Sequence, residues 1–235
     1  MSQYIIKFVL LILVLVSHLS LASLGPKRLL LTTQEWPPYQ TYSSDTLAGL
    51  AVTRVKCVLR QLEQPYQLTM TSWENAQLKV QSSEQHGFFV AEQTPLRDKY
   101  AVFSKPLINH HWYWYFSNSL SDISLNESNK KQWKVSAKFG TNKWFYLHNS
   151  EYDVIKKPRN VKTLLDMLMH NEVDAVLVDE LAMQVALKKK GMLASGFRSK
   201  EVATKPLGVY FNKDFINKYP NFLNEFNQSI SDCAK

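Results

Sequence analysis

From Lys27 onward, short apolar stretches typical of strands alternate with longer stretches that have the spacing of amphipathic helices. The segments Arg28 to Thr33 and Gly87 to Ala91 have the composition of buried strands, and apolar residues recur at helical spacing between Ala51 and Leu62. Such an alternation packs its helices on a mostly parallel sheet. The order of elements therefore predicts an α/β fold.

A change in pattern near the middle of the chain indicates a second α/β unit. The segment Ile108 to Phe116 is apolar on both faces, and the polar segment Ser117 to Asn129 follows it as a linker. A second series of strands and helices runs from Trp133 to Val178. The chain then shows a strand at Pro206 to Phe211 and one final amphipathic helix, with Pro220 in its first turn.

The N-terminal residues 1–22 have the pattern of a secretory signal peptide. Lys7 precedes nine consecutive apolar residues, too few to cross about 30 Å of hydrocarbon but typical of a signal-peptide core. Small residues at Ser20 and Ala22 favour cleavage before Ser23, and an uncleaved anchor is the alternative. We expect an exported, soluble protein of the periplasm.

The formal net charge of +8 raises the question of a nucleic-acid or membrane-surface partner. Export argues against nucleic acid, and loss of Lys7 with the signal peptide lowers the charge by one. The triple lysine at Lys188 to Lys190 ends a predicted helix before Gly191, where cations offset the helix dipole. We therefore interpret this run as a solvated helix end and expect no nucleic-acid partner.

The two cysteines are too few for a disulfide scaffold or a four-cysteine zinc site. Cys57 lies on a helical pattern and Cys233 lies near the end of the sequence. In an oxidising compartment they are candidates for a disulfide, and two free thiols are the alternative. We expect neither a metal ion nor a cofactor.

Four motifs follow one another along the chain, and their order is more specific than any one of them. They are Glu35-Trp36-Pro37-Pro38-Tyr39, Trp73-Glu74-Asn75-Ala76, the segment Thr94 to Leu107, and the segment Val173 to Asp179. Together they resemble the family 3 extracellular solute-binding proteins, typified by polar amino-acid receptors of ABC importers. The resemblance covers nearly the whole chain after the signal peptide.

The resemblance implies a periplasmic binding protein-like fold, with two α/β lobes joined by two hinge strands near His111 to Phe116 and Pro206 to Phe211. Residues 23–113 and 207–235 would form the first lobe, and residues 114–206 the second. The lobes would close by hinge motion around a small polar ligand. We expect the protein to be a monomer.

Two regions, one of them in the motifs, are expected to bind a ligand carboxylate. Arg97 matches the family arginine that holds this group, and a guanidinium suits a carboxylate. A surface ion pair with Asp98 or a neighbouring carboxylate is the alternative. Gly140, Thr141 and Asn142 open a predicted helix whose free N–H groups can receive the same anion. A loop with a simple capping residue is the other interpretation of this segment.

Asp179 matches the family aspartate that pairs with a ligand ammonium, and it ends a buried strand where ligands of open α/β sheets bind. Its alternative role is to cap the helix that starts near Glu180. Trp36, Tyr39 and Trp73 are expected to wall the cleft, since aromatic faces bury apolar groups and attract cations. Packing in the core is the alternative for each of them.

Glu92 and Thr94 complete the expected set of ligand contacts. Glu92 and Gln93 stand where amino-acid receptors commonly carry small hydroxyl residues or glycine. An acidic side chain there would repel a ligand carboxylate close to Arg97, or neutralise that arginine. We therefore expect a ligand other than a standard L-amino acid, and a cationic or amine-bearing molecule would suit Glu92 and Asp179 together.

The function expected from the resemblance is solute capture for an ABC-type importer. One alternative keeps the clamp but docks it on the ectodomain of a membrane sensor instead of a permease. A second is a periplasmic dehydratase-like enzyme, whose acid/base pair would be Glu92 with His110 or His111. The adjacent histidines face opposite sides of a strand, which argues against their binding one metal ion.

Overall fold

The structure is a computed structural model that describes residues 25–43, 45–120 and 128–233. The expected signal peptide, 1–22, and residues 121–127 of the expected linker lie outside these ranges. The described chain has the mixed α/β architecture that its alternating pattern predicts. No helix in these ranges is long and apolar enough to cross a membrane.

Eleven strands form in the described residues, and the longer ones follow the apolar stretches of the sequence. They are β1 (Leu29–Thr33), β2 (Thr41–Ser43), β3 (Thr46–Ala48), β4 (Tyr66–Met70), β5 (Gly87–Ala91), β6 (Ala101–Phe103), β7 (Ile108–Phe116), β8 (Lys134–Ser136), β9 (Asp153–Val154), β10 (Ala175–Asp179) and β11 (Ser199–Asn212). Only β2 and β3 stand apart, as a separate antiparallel pair.

Nine strands make one continuous sheet in the order β4-β1-β5-β11-β7-β10-β8-β9, with β6 paired to β11. The pairs of β1 with β4 and β5, and of β8 with β9 and β10, are parallel. The long strand β11 is antiparallel to its partners. Residues 208–212 of β11 pair with β5 and β6, and residues 199–207 pair with β7. This one strand therefore belongs to both halves of the sheet.

Eight α-helices cover the described sheet, and six begin with a side chain that accepts a backbone N–H bond of the first turn. They are α1 (Leu50–Gln61), α2 (Trp73–Gln81), α3 (Pro95–Asp98), α4 (Asn142–Asn149), α5 (Val161–Met169), α6 (Glu180–Lys189), α7 (Lys213–Lys218) and α8 (Phe222–Asp232). We call β1, β4, β5 and β6 with α1, α2, α3, α7 and α8 the first lobe, and β8, β9 and β10 with α4, α5 and α6 the second lobe.

Each lobe has its own apolar core. In the first lobe, Phe211 of β11 contacts Phe222 and Phe226 of α8, and all three side chains are fully buried. In the second lobe, Leu164 and Leu165 of α5 are fully buried against β10. Burial of each such side chain stabilises its lobe by about 1.5–3 kcal/mol.

The C-terminal region differs from the single helix that the sequence predicts. Two helices, α7 and α8, form there, and Pro220 lies in the turn between them instead of in a helix's first turn. Asn212 caps α7 by accepting bonds from the N–H groups of Asp214 and Phe215. The prediction missed this six-residue helix because its cap chemistry, not its apolar spacing, defines it.

A disulfide joins Cys57 in α1 to Cys233 at the end of α8, with the two Cα atoms 5.9 Å apart. Cys233 is buried in the core of the first lobe. The bridge links positions 176 residues apart in sequence, so it closes a loop that includes the whole second lobe. Such a long loop restricts the unfolded chain strongly.

We expect the double substitution of Cys57 and Cys233 by serine to lower the free energy of unfolding by about 2–5 kcal/mol. Chemical unfolding of the wild type with and without a reductant measures the same loss. The double variant is the control, because a reductant has no bond to break in it. Equal stability of the wild type in both conditions would contradict this prediction.

Candidate ligand-binding cleft

A cavity lies between the two lobes, at the carboxyl ends of parallel strands from both. Gln34 follows β1, Glu92 follows β5 and Asp179 is the last residue of β10. The cavity holds about 50 Å³ and continues into an outer groove of about 540 Å³ through shared residues. It brings together seven of the residues expected from the sequence: Trp36, Trp73, Glu92, Arg97, Thr141, Asn142 and Asp179.

Three other expected site residues stand behind the wall of this cavity. Tyr39 is fully buried, and its hydroxyl donates to Asp179 Oδ2 at 2.9 Å. Thr94 caps α3, and its backbone N–H donates to the Tyr210 hydroxyl at 2.9 Å. Gly140 has a left-handed φ of 74°, and a Cβ there would lie 3.3 Å from Glu74 Oε1. These residues shape the cleft from outside its lining.

Arg97 projects from the short helix α3 and is 6% exposed. Its Nε donates to Gln77 Oε1 at 2.9 Å and its Nη1 donates to the backbone carbonyl of Glu92 at 2.8 Å. The guanidinium also lies 5.1 Å from the ring centre of Trp73. These three contacts fix the guanidinium in the wall of the cavity.

The alternative ion pair of Arg97 with Asp98 does not form. Asp98 instead accepts bonds from the Tyr210 hydroxyl at 2.7 Å and from Gln93 Nε2 at 3.2 Å. Within residues 25–43, 45–120 and 128–233, no acceptor engages Arg97 Nη2. This edge of the guanidinium is therefore available to a bound group.

His110 of β7 connects two carboxylates in the interior and has no exposed surface. Its Nε2 lies 3.1 Å from Glu92 Oε1, and its Nδ1 lies 3.0 Å from Asp179 Oδ2. Asp179 Oδ1 accepts the Ala182 N–H bond that caps α6, and Oδ2 also accepts from Tyr39. Both oxygens of Asp179 thus already have partners within the protein. Asp179 caps α6, as its alternative interpretation expected.

The charge state of Glu92 follows from these contacts. Burial alone would raise its pKa, but the hydrogen bond with His110 and the charge of Lys143 outweigh burial, and the pKa lies below its ordinary value. A hydrogen bond from the Asn142 side chain acts in the same direction. Glu92 is therefore a carboxylate near neutral pH, with partners already in place.

Two lysines of the second lobe line the cavity, and the sequence interpretation missed both. Lys143, in the first turn of α4, is 6% exposed, and Lys138 Nζ donates to Gln34 Oε1 at 3.0 Å across the cleft. Burial lowers the pKa of each lysine. The sequence did not mark these lysines as site residues, because a lysine beside a helix start is ordinarily exposed. The nearest signal was the helix start at Gly140 to Asn142 between them.

The segment expected to receive an anion does begin a helix. Thr141 is the N-cap of α4; its Oγ1 accepts from the Trp144 N–H at 3.4 Å and donates to the Lys138 carbonyl at 2.7 Å. Asn142 follows as the first helical residue and, like Thr141, lines the cavity. The positive end of the α4 dipole is thus directed at the cleft.

No protein-family model and no curated protein matches the sequence. Solved structures do match. Arginine-bound ArgBP from T. maritima has a TM-score of 0.71 at 14% identity, over 88% of this chain and 95% of its own. ArtJ, the arginine-, lysine-, histidine-binding protein of Geobacillus stearothermophilus, has a TM-score of 0.69 at 16% identity, over 88% and 89%.

A third match is AncCDT-1, an ancestral amino acid-binding protein and precursor of cyclohexadienyl dehydratase, with a TM-score of 0.71 at 18% identity over 88% of each chain. All of these structures are family 3 solute-binding proteins. The chain has the two-lobed periplasmic binding protein fold. The family resemblance seen in the motifs is thereby confirmed at the level of the fold.

We expect Glu92→Gln to lower the free energy of unfolding by about 1–2 kcal/mol at pH 7, because a charged acceptor becomes neutral. A depressed pKa in the folded state stabilises the fold above the ordinary glutamate pKa of about 4.3, and this stabilisation is lost as pH falls through the folded pKa. The difference between wild type and variant should therefore shrink on acidification. Urea unfolding at several pH values measures it.

The control for this experiment is Glu84→Gln, which removes an exposed carboxylate that pairs with Lys79 on the surface. Such exposed pairs contribute little, so this variant should match the wild type to within about 1 kcal/mol across the series. A difference for Glu92→Gln that grows as the pH falls would show that the carboxylate is not stabilised in its charged form.

Proposed function

We propose that the protein is a periplasmic solute-binding protein that holds a small polar ligand between its lobes by a carboxylate. The observation that carries the proposal is the fixed, buried guanidinium of Arg97, which has a free edge at the cavity between the lobes. A guanidinium held in this way is preorganised to bind a carboxylate with two parallel hydrogen bonds.

The charges around the cavity support an anionic group on the ligand. Arg97, Lys138 and Lys143 supply three cations, while the carboxylates of Glu92 and Asp179 are engaged by His110 and other protein donors. The cleft therefore offers more unsatisfied donors than acceptors. We therefore propose an anionic group on the ligand in place of the amine-bearing ligand expected from the two carboxylates in the sequence.

The sheet topology supports hinge closure as the mode of capture. We propose the boundaries expected from the sequence, with residues 23–113 and 207–235 in the first lobe and 114–206 in the second. The pairing of β11 changes from β5 and β6 to β7 near Leu207, which agrees with a hinge there. Bonds of Tyr39 with Asp179 and of Lys138 with Gln34 join the lobes across the cleft.

Similarity to amino acid-binding proteins and the Cys57–Cys233 disulfide both favour an exported receptor. We propose that the protein delivers its ligand as a monomer to an ABC-type permease; docking on a sensor ectodomain is the alternative. Co-purification of a permease or a sensor with the ligand-loaded protein from solubilised membranes would separate these two outputs.

Catalysis is a weaker proposal, although one similar structure is the precursor of a dehydratase. The suggested pair of Glu92 and His110 is within 3.1 Å, but His110 is fully buried and does not line the cavity. A catalytic proton donor or acceptor must reach its substrate directly or through one water. His111 lies on the other face of β7, where it contacts Glu201 at 3.1 Å.

A thermal-shift panel of small carboxylic acids, amino acids, amines and oligopeptides at millimolar concentration tests the proposed function. We expect carboxylates to stabilise the wild type. Arg97→Met should weaken their binding about 10- to 100-fold, the cost of one charge-assisted hydrogen-bonded pair. Arg60→Met removes an exposed arginine of α1 and should bind as the wild type does. Stabilisation of the Arg97 variant equal to that of the wild type would refute the assigned contact.

A further inference from the structure

Lys143 is a buried cation without a hydrogen-bonded partner in the part of the chain that the structure describes. It lines the cavity from the first turn of α4 and is 6% exposed. Its Nζ lies 4.8 Å from the ring centre of Trp112 and 5.4 Å from that of Trp36. The ammonium thus lies near two aromatic rings at the wall of the cavity.

The surroundings of this ammonium resemble a binding site for a cation. Aromatic faces attract ammonium groups, and the negative charges of Glu92 and Asp179 also favour the protonated form of Lys143 by raising its pKa. Lys138 is the like-charged neighbour that opposes them. A ligand ammonium would need the same faces and the same carboxylates, and Lys143 already occupies them.

We propose that Lys143 makes the cleft selective for organic carboxylates that lack an amino group. In this arrangement the ligand carboxylate lies between Arg97 of the first lobe and Lys143 of the second and accepts charge-assisted hydrogen bonds from both. A ligand ammonium would approach Lys143 in a poorly solvated space, where like charges repel strongly. This inference rests on the proposed solute-binding function and narrows its ligand class.

The remaining cavity wall indicates what the rest of the ligand is like. Val90, Ala91, Leu177 and Leu207 line the cavity but are at most 1% exposed, and Trp73 is 8% exposed. The cavity of about 50 Å³ therefore has room for the carboxylate alone, and the outer groove of about 540 Å³ would hold the rest of the ligand. Such a site suits an acid whose carboxylate is at the end of a short chain.

Matched ligand pairs test the selectivity in the wild type. The panel consists of straight-chain mono- and dicarboxylates and the α-amino acid of each carbon skeleton, for example glutarate with glutamate, at constant ionic strength. Calorimetric titration should show each preferred acid binding at least about 10-fold more tightly than its amino counterpart. Equal or tighter binding of the amino acids would overturn the inference and leave the proposed function intact.

Lys143→Met tests the residue itself, with Lys188→Met as the control that removes an exposed lysine of α6 in the same lobe. In the Lys143 variant the preference for the acid over its amino counterpart should fall at least about 10-fold, and in the control it should be unchanged. A folded Lys143→Met protein with the wild-type preference would overturn the inference.

Two further measurements separate the ways in which this experiment can fail. Thermal unfolding without ligand checks that Lys143→Met folds. If it does not, Lys143→Arg replaces it, because this variant keeps the charge and should keep the preference for the acid. Loss of that preference in Lys143→Arg would count against the inference. Phosphate and sulfate are included, and binding of these ions without any carboxylate would also overturn it. If no compound stabilises the wild type, the proposed function fails first.

Discussion

The pairing of β7 with β11 is the constraint on which the rest of the structure depends. These two antiparallel strands are the place where the half-sheets of the two lobes join. β7 also carries His110 on its buried face, and that ring reaches Glu92 of the first lobe and Asp179 of the second. The strand pair that joins the lobes therefore also sets the positions of the charges that meet between them.

The hydrogen bonds among these charged groups determine which of them remain free to contact a ligand. Asp179 accepts bonds from the Ala182 N–H and the Tyr39 hydroxyl, and its Oδ2 also lies 3.0 Å from His110 Nδ1, so both of its oxygens already have partners. Buried polar groups that have partners stabilise a structure, whereas those without partners are costly. Arg97 Nη2 and Lys143 Nζ have no acceptor among the described residues, and Lys138 uses one of its donors on Gln34.

Much of the fold could be predicted from the sequence because strand composition and helix caps are local signals. The strand at Gly87–Ala91 and the helix that opens at Thr141 and Asn142 are where the pattern put them. The final amphipathic helix is also present, as α8, but the sequence did not reveal α7 before it, because Asn212 starts that short helix and apolar spacing does not mark it. Lys143 was missed for a different reason: its burial depends on Trp36 and Trp112, which reach it only through tertiary folding.

The placement of the two cations on opposite lobes links binding to closure. A ligand shifts a conformational equilibrium only through contacts that differ between the two states. The bonds of Tyr39 with Asp179 and of Lys138 with Gln34 join the lobes without a ligand, so they favour closure equally for every solute. In the proposed binding mode, a carboxylate that spans Arg97 and Lys143 gains its second contact only when the lobes meet, so the proposed discrimination between solutes belongs to the closed cleft.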